Sequence, residues 1–293
     1  MQSITLDNGE TLAYRESGQG ERVLLLIHGN LSSSQYWDVL MEQLPEDYHV
    51  FAPDLRGFGN SSYHHPIESI SDFAEDLQAF IRQLQLKRPM ILGWSLGGAI
   101  ALQLACDTPQ LLSRLILLAS VNPQGFPLPK RDIYGRPIPG EFFQTKTELA
   151  QDPLVILPIL KAFETQDQSF FKSLWNQVVY TQNKPDAQQY RRYLRATLKQ
   201  RNYLDVIYAL SCFNLSSHHN GVVPGTGAIK RLKSPTLIIH GDRDYVIPKS
   251  KALEGVKMLE NQPKLVILKK AGHSPLVDNL EGLVTEIKAF WDS

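Results

Sequence analysis

The chain has 293 residues, of which 43% are hydrophobic and 20% are charged, and its charged residues balance to a formal net charge of zero. This composition is typical of a globular protein with a sizeable core, and it excludes partners recognised through an overall charge. No apolar stretch reaches the length of a membrane span, and the first seven residues contain neither a basic segment nor an apolar run. We therefore expect no membrane span, no signal peptide, no nucleic-acid partner and a cytoplasmic location.

Short apolar runs alternate with helical patterns over the first 121 residues. The turn Asn8-Gly9 separates two strand-like segments, which is typical of a β-hairpin. The continuous apolar runs that follow suit strands covered on both faces, so the alternation indicates βαβ units and a parallel sheet. The predicted strands are Ser3–Leu6, Thr11–Tyr14, Val23–Ile27, His49–Ala52, Pro89–Leu92 and Leu115–Ala119.

The alternation stops between residues 122 and 230. This segment begins with a run of prolines and continues with helix-like, aromatic-rich stretches that contain no obvious buried strand. The alternation then resumes with the apolar strands Ser234–His240 and Lys264–Leu268 and a C-terminal helical pattern. We predict a core formed by residues 1–121 and 231–293, with residues 122–230 as a helical insertion packed over the sheet.

The two cysteines, Cys106 and Cys212, lie far apart in dissimilar contexts. Cys106 falls on a helical pattern, so we expect it to be a small buried hydrophobe. A disulfide between the two is not expected.

The segment Gly93 to Gly98 marks a sharp turn from an apolar strand into a helical pattern. Such a turn strains the backbone of Ser95 and crowds the residues two before and two after it, which glycine at positions 93 and 97 relieves. The turn exposes the Ser95 hydroxyl beside the free N–H groups of a helix N-terminus. This layout predicts a serine nucleophile next to an anion site.

Three further predicted strands end in polar residues that could act with Ser95. They are followed by His28-Gly29-Asn30, by Asp244 and by His273. Binding and catalytic groups gather at the carboxyl ends of the strands in an open parallel sheet. The nucleophile, acid and base occur in the order serine, aspartate, histidine, which is the order of the α/β-hydrolase fold.

With these motifs, nearly the whole chain resembles the serine-type α/β-hydrolase fold family, in particular carboxylesterase-like members with a helical cap. The motifs that carry the resemblance are His28-Gly29-Asn30, Asp54 to Ser61, Gly93 to Gly98, Gly241 to Pro248 and Gly272-His273. The resemblance implies an α/β fold with a mostly parallel eight-stranded sheet, helices on both faces, and residues 122–230 as the cap (lid). The cap matches in position and helical character only.

The proton chemistry of acyl transfer assigns a role to each candidate residue. Histidine can accept and then donate a proton near neutral pH, so His273 is the expected base for Ser95. Asp242 and Asp244 compete for the orienting carboxylate, and the family spacing favours Asp244. The expected oxyanion hole consists of the backbone N–H of Leu96 and, as the resemblance implies, that of Asn30. Leu31 is the alternative to Asn30.

The remaining polar and aromatic residues have supporting roles in this interpretation. We expect His28 to brace the oxyanion loop, and Asp54 and Arg56 to fix the loop that follows them. No metal is expected, because His218, His219 and His240 lack metal-ligand spacing. Pocket walls are expected from Trp94, Leu31, Phe142 and Trp175, the last two being cap aromatics over an apolar acyl site.

These residues predict a serine hydrolase that cleaves the ester of a small or medium apolar acyl group through an acyl-enzyme on Ser95, without a cofactor. A lactonase of the acyl-homoserine lactone type would use the same residues. A binding protein without turnover is a further alternative, since this fold also serves receptors. The expected partner is a small ester or lactone, and the chain is expected to be a monomer or homodimer.

Overall fold

The predicted apolar runs form one eight-stranded sheet in the computed structural model, which describes residues 1–293. The chain has ten strands: β1 (Gln2–Thr5), β2 (Thr11–Ser17), β3 (Arg22–Ile27), β4 (Tyr48–Pro53), β5 (Met90–Trp94), β6 (Leu115–Leu118), β7 (Pro129–Arg131), β8 (Pro137–Phe142), β9 (Thr236–Gly241) and β10 (Lys264–Leu268). All except β7 and β8 belong to the large sheet, whose spatial order is β1-β2-β4-β3-β5-β6-β9-β10 and in which only the pairs β1/β2 and β2/β4 are antiparallel. The mostly parallel sheet of the predicted fold is confirmed.

The central strands are apolar on both faces because helices cover both faces. Along β3, Leu25 and Ile27 enter one core of 39 buried residues, whereas Leu24 and Leu26 enter a second core of 36 on the other face. This division follows the period of two along a strand. Strands β5, β6 and β9 are buried throughout and continue the same two layers.

Eleven α-helices complete the fold. They are α1 (Asp38–Met41), α2 (Ile70–Gln83), α3 (Leu96–Asp107), α4 (Lys146–Ala150), α5 (Ile156–Glu164), α6 (Gln168–Val178), α7 (Ala187–Thr197), α8 (Tyr203–Cys212), α9 (Lys249–Met258), α10 (Pro275–Asp278) and α11 (Leu280–Trp291). Helices α2, α3 and α9 bury residues in the first core, and α1 and α11 in the second. Ser69 and Asp72 form a capping box that fixes the start of α2.

The insertion leaves and rejoins the sheet at neighbouring strands, since β6 pairs with β9. It contains the predicted helices, α4 to α8, and also an antiparallel hairpin of β7 and β8 that the sequence pattern did not indicate. Both strands of this hairpin contain proline and neither is buried. Proline is compatible with such edge positions, so a proline-rich segment can form strands without an apolar run.

No helix of this chain combines the length and the apolar character needed to cross a membrane. Cys106 is buried in α3, Cys212 lies at the end of α8, and both thiols are free. Burial raises the pKa of the Cys106 thiol to about 12, which keeps it protonated and unreactive near neutral pH.

Candidate active site

Ser95 lies between the end of β5 and the start of α3, with a strained backbone at φ 56° and ψ −115°. Neighbouring backbone passes close on both sides of the turn. A Cβ atom at Gly93 would lie 2.2 Å from the carbonyl oxygen of Gly97, and one at Gly97 would lie 2.2 Å from that of Ile27. Only glycine fits at these two positions, and the crowding predicted from the spacing is therefore present.

His273 and Asp244 meet Ser95 at the carboxyl edge of the sheet. The Nε2 atom of His273 lies 3.0 Å from the Oγ atom of Ser95, and its Nδ1 atom lies 2.8 Å from Oδ2 of Asp244. The indole of Trp94 donates to the carbonyl oxygen of His273 at 2.8 Å and so anchors the loop that carries the imidazole. The three residues form a continuous chain of contacts from hydroxyl to imidazole to carboxylate.

The carboxylate of Asp244 is buried and held on both oxygens. Its Oδ1 atom accepts the backbone N–H groups of Val246 and Ile247, which leaves Oδ2 for His273. Burial raises the pKa of the Asp244 carboxyl, but His273, the N–H of Ile247 and the nearby His240 together outweigh burial, so this pKa lies below its usual range. Asp244 is therefore ionised at neutral pH.

The competing carboxylate, Asp242, does not reach the imidazole. Its Oδ1 atom accepts the N–H of Ala271 at 3.3 Å, within the neighbouring loop. The geometry thus favours Asp244, as the spacing from Gly241 to Pro248 does.

Two free backbone N–H groups flank Ser95. Neither the N–H of Leu96, the first residue of α3, nor that of Asn30 donates to an acceptor within the chain. The loop carrying Asn30 passes close to the serine, because a Cβ atom at Gly29 would lie 3.2 Å from that of Ser95. The N–H of Leu31, by contrast, donates to Oε1 of Gln200 at 3.0 Å. Asn30 is therefore the better candidate for the second oxyanion donor.

His28 is buried behind this loop and braces it. The backbone N–H of Leu55 donates to its Nε2 atom at 3.0 Å, so the proton of the neutral ring resides on Nδ1, which donates to the carbonyl oxygen of Gly29 at 2.8 Å. Burial lowers the pKa of His28 more than Asp54 and the bond to Gly29 raise it. Because the ring stays neutral and both of its nitrogens are hydrogen-bonded, His28 has a structural role in this loop.

The loop after β4 is fixed by two carboxylates. Asp54 accepts the N–H of Ser34 at 2.8 Å and that of Asn60 at 2.9 Å, and Arg56 forms a buried two-pronged ion pair with Asp76. These contacts match the structural roles predicted for Asp54 and Arg56.

An apolar cavity of about 210 Å³ opens at Ser95 and His273. Seventeen of its twenty lining residues are hydrophobic, and eleven belong to the insertion. Of the predicted wall residues, Leu31, Trp94 and Trp175 line this cavity. Phe142 does not, and its prediction as a wall residue was wrong: it lies on the unpredicted strand β8, where a Cβ atom at Gly221 would lie 2.5 Å from its ring.

Tyr36 and Gln200 are among the residues near the site that were missed from sequence. Tyr36 lines the cavity and stacks on Tyr193 of α7 at a ring distance of 4.0 Å. Gln200 contacts the oxyanion loop from the insertion. Neither belongs to a motif, and both act through contacts between distant segments, so no local signal could have identified them.

Curated proteins are similar in sequence to part or all of this chain. An uncharacterised protein of Mycobacterium tuberculosis is 36% identical over 113 residues, which is 39% of this chain and 33% of that relative. The chain thus aligns with only about a third of the length of the first curated relatives it matches. Lipase 3 of a Moraxella species is 27% identical over 300 residues, covering 100% of this chain and 84% of the lipase.

A solved structure and a family model point to the same fold. The solved structure of an esterase from Exiguobacterium antarcticum superposes with a TM-score of 0.77 at 20% identity, covering 99% of each chain. At that identity the likeness supports the fold alone. Residues 22–280 match the family described as the alpha/beta hydrolase fold. Because this match spans most of the chain, the protein belongs to the alpha/beta hydrolase fold family.

Proposed function

We propose that this protein is a carboxylic ester hydrolase that cleaves esters of small or medium apolar acyl groups through an acyl-enzyme on Ser95. The observation that carries the proposal is the chain of contacts from Ser95 through His273 to Asp244, opening into an apolar cavity. Relatives named as lipases support the same reaction class.

In the first step, Oγ of Ser95 attacks the ester carbonyl carbon while Nε2 of His273 takes the hydroxyl proton. The ring then holds a proton on each nitrogen, and the Nδ1 proton faces Oδ2 of Asp244. The low pKa of Asp244 keeps its carboxylate charged, so it stabilises the imidazolium that forms. His273 next donates its Nε2 proton to the departing alcohol oxygen, which leaves the acyl group on Ser95.

The carbonyl oxygen becomes an oxyanion during this attack. The free N–H groups of Leu96 and Asn30 are the donors that we assign to it, and loss of one such donor typically costs about 100- to 1,000-fold in rate. Water then attacks the acyl-enzyme with His273 as the base, and collapse of the second tetrahedral intermediate releases the acid and restores Ser95.

The cavity favours an uncharged acyl group. His273 is its only titratable lining residue apart from tyrosines, and no lysine or arginine lines it to neutralise a carboxylate on the substrate. Its volume of about 210 Å³ lies below the roughly 300–1,000 Å³ of drug-sized ligand sites, which favours a small or medium group. We also propose that residues 122–230 act as a cap on a core of residues 1–121 and 231–293, because this insertion contributes over half of the cavity wall.

The test is steady-state hydrolysis of p-nitrophenyl esters from acetate to laurate, with lactones in the same panel, before and after a fluorophosphonate probe. We expect many turnovers per enzyme, a label on the peptide that contains Ser95, and loss of activity in Ser95→Ala. Ser211→Ala, at a buried serine of α8 outside the cavity, is the matched control and should retain activity. Turnover of lactones alone would indicate the lactonase alternative, and absence of turnover would indicate a binding protein.

A further inference from the structure

The turn between α7 and α8 contacts the candidate oxyanion loop through one buried side chain. Gln200 is 4% exposed, and its Oε1 atom accepts the N–H of Leu31 at 3.0 Å. Its Nε2 atom donates to Oδ1 of Asn30 at 2.8 Å and to Oδ1 of Asn202 at 3.1 Å. A single amide thus bonds two consecutive residues of the loop that follows β3.

Leu31 has a backbone conformation that needs external support. Its φ of 55° lies in the left-handed region, which is unfavourable for a residue with a side chain. Gln200 holds its N–H, and the hydroxyl of Thr197 donates to its carbonyl oxygen at 2.6 Å. Contacts from the insertion therefore hold Leu31 on both sides.

The two residues that follow Gln200 attach its turn to the rest of the fold. The Nδ2 atom of Asn202 donates to the carbonyl oxygen of Arg56 at 2.7 Å. The backbone N–H of Arg201 donates to the carbonyl oxygen of Gly57 at 2.9 Å. The turn that carries Gln200 is therefore attached to the loop after β4, which the Arg56–Asp76 ion pair secures.

We propose that Gln200 is a positioning residue for acyl transfer, holding the Asn30–Leu31 segment so that the N–H of Asn30 faces the oxyanion. The inference rests on the proposed function. Gln200 does not line the cavity, so it does not touch the acyl group and acts through the loop. Because Gln200 occupies the N–H of Leu31, it also leaves Asn30 as the free one of the two candidate donors.

The test compares two variants. Gln200→Met has a side chain of similar length that cannot bond Asn30 or Leu31, whereas Gln200→Glu keeps an acceptor for the N–H of Leu31. A displaced oxyanion donor affects the transition state more than the bound ester. In Gln200→Met we expect kcat to fall about 10- to 100-fold while KM changes less than threefold. Gln200→Glu should recover part of that loss.

A trifluoromethyl ketone gives a second measurement, because Ser95 adds to it and creates an oxyanion without turnover. Its inhibition constant should rise in Gln200→Met by a factor close to the loss in kcat. The matched control is Asn214→Leu, which removes an equally buried amide that donates to the carbonyl oxygens of His218 and Val223 in the segment after α8. It should leave kcat and the inhibition constant within twofold of the wild type.

The outcomes separate this inference from the proposed function. Wild-type turnover together with unchanged kcat and inhibition constant in Gln200→Met would show that Gln200 does not position the donor, while the proposed function stands. Equal losses of kcat and of inhibitor affinity in Asn214→Leu would also refute it, since the effect would then not be specific to the amide that contacts the loop. A wild type without turnover or label at Ser95 would overturn the proposed function, and this inference with it.

Discussion

Replacing Asp244 with asparagine should remove nearly all activity while changing only one atom of the side chain. The N–H groups of Val246 and Ile247 both donate to Oδ1, so the amide oxygen of D244N must stay there. Its NH₂ group then faces Nδ1 of His273, where it can donate but cannot accept.

The imidazole responds by placing its proton on Nε2, which lies 3.0 Å from Oγ of Ser95. A protonated Nε2 cannot take the serine proton, so the base is lost although the geometry is kept. The same substitution in a serine protease triad lowers kcat about 10⁴-fold, which corresponds to about 5.4 kcal/mol of transition-state stabilisation. We expect a loss of that order here.

The assay is kcat for the preferred p-nitrophenyl ester, with urea unfolding to show that the variant is folded. D242N is the matched control, because Asp242 contacts the N–H of Ala271 and not His273, and its kcat should stay within about threefold of the wild type. If D244N keeps more than a tenth of the wild-type kcat, or if D242N loses as much, the assignment of the acid is wrong.

The other predictions concern stability and acyl length. The free energy of unfolding should fall as pH drops below about 6.5, because burial lowers the pKa of His28 and of His240 in the folded state and both take up protons on unfolding. Below that pH, each histidine lowers the free energy of unfolding by about 1.4 kcal/mol per pH unit until the pH reaches its folded-state pKa. A free energy of unfolding from urea titrations that stays constant from pH 7 to 5 would contradict this. Gly97→Ala places a methyl group 2.2 Å from the carbonyl oxygen of Ile27 and should cost about 1–3 kcal/mol or more in urea unfolding, whereas wild-type stability would mean that the turn has spare room. Val178→Phe reduces the cavity and should lower kcat/KM for octanoate at least about tenfold relative to acetate; equal changes for both esters would place the acyl group elsewhere.

The turn at Ser95 could be predicted because its glycines stand at fixed positions on either side of the serine. The short distances from Gly93 and Gly97 to neighbouring carbonyl oxygens impose glycine at fixed spacing, and that spacing is visible in the sequence. The continuous apolar strands were equally clear, since burial on both faces removes any need for polar alternation. Both features can be read from the sequence, although the carbonyl oxygen that crowds Gly97 belongs to Ile27 on the neighbouring strand β3.

The insertion could not be predicted to the same depth. Strands β7 and β8 pair only with each other and carry prolines, so they lack the apolar signal of a buried strand. Phe142 was assigned to the cavity from its aromatic character, but its position on β8 places it outside the cavity lining. Which aromatic residue lines a cavity depends on how helices and hairpins pack, and residue type alone does not determine that packing.

The insertion also contacts the segments that carry the proposed acid and base, besides the oxyanion loop. Arg243, next to Asp244, donates to Oε1 of Gln182 at 2.7 Å. Asp278 accepts the N–H of Gly272, next to His273, at 2.7 Å and that of Asn183 at 2.9 Å. Because the insertion supplies over half of the cavity wall and also contacts the segments next to the proposed acid and base, its effect is not limited to substrate specificity. Substitutions in those of its turns that contact these segments should therefore change kcat as well as KM, even where they lie outside the cavity.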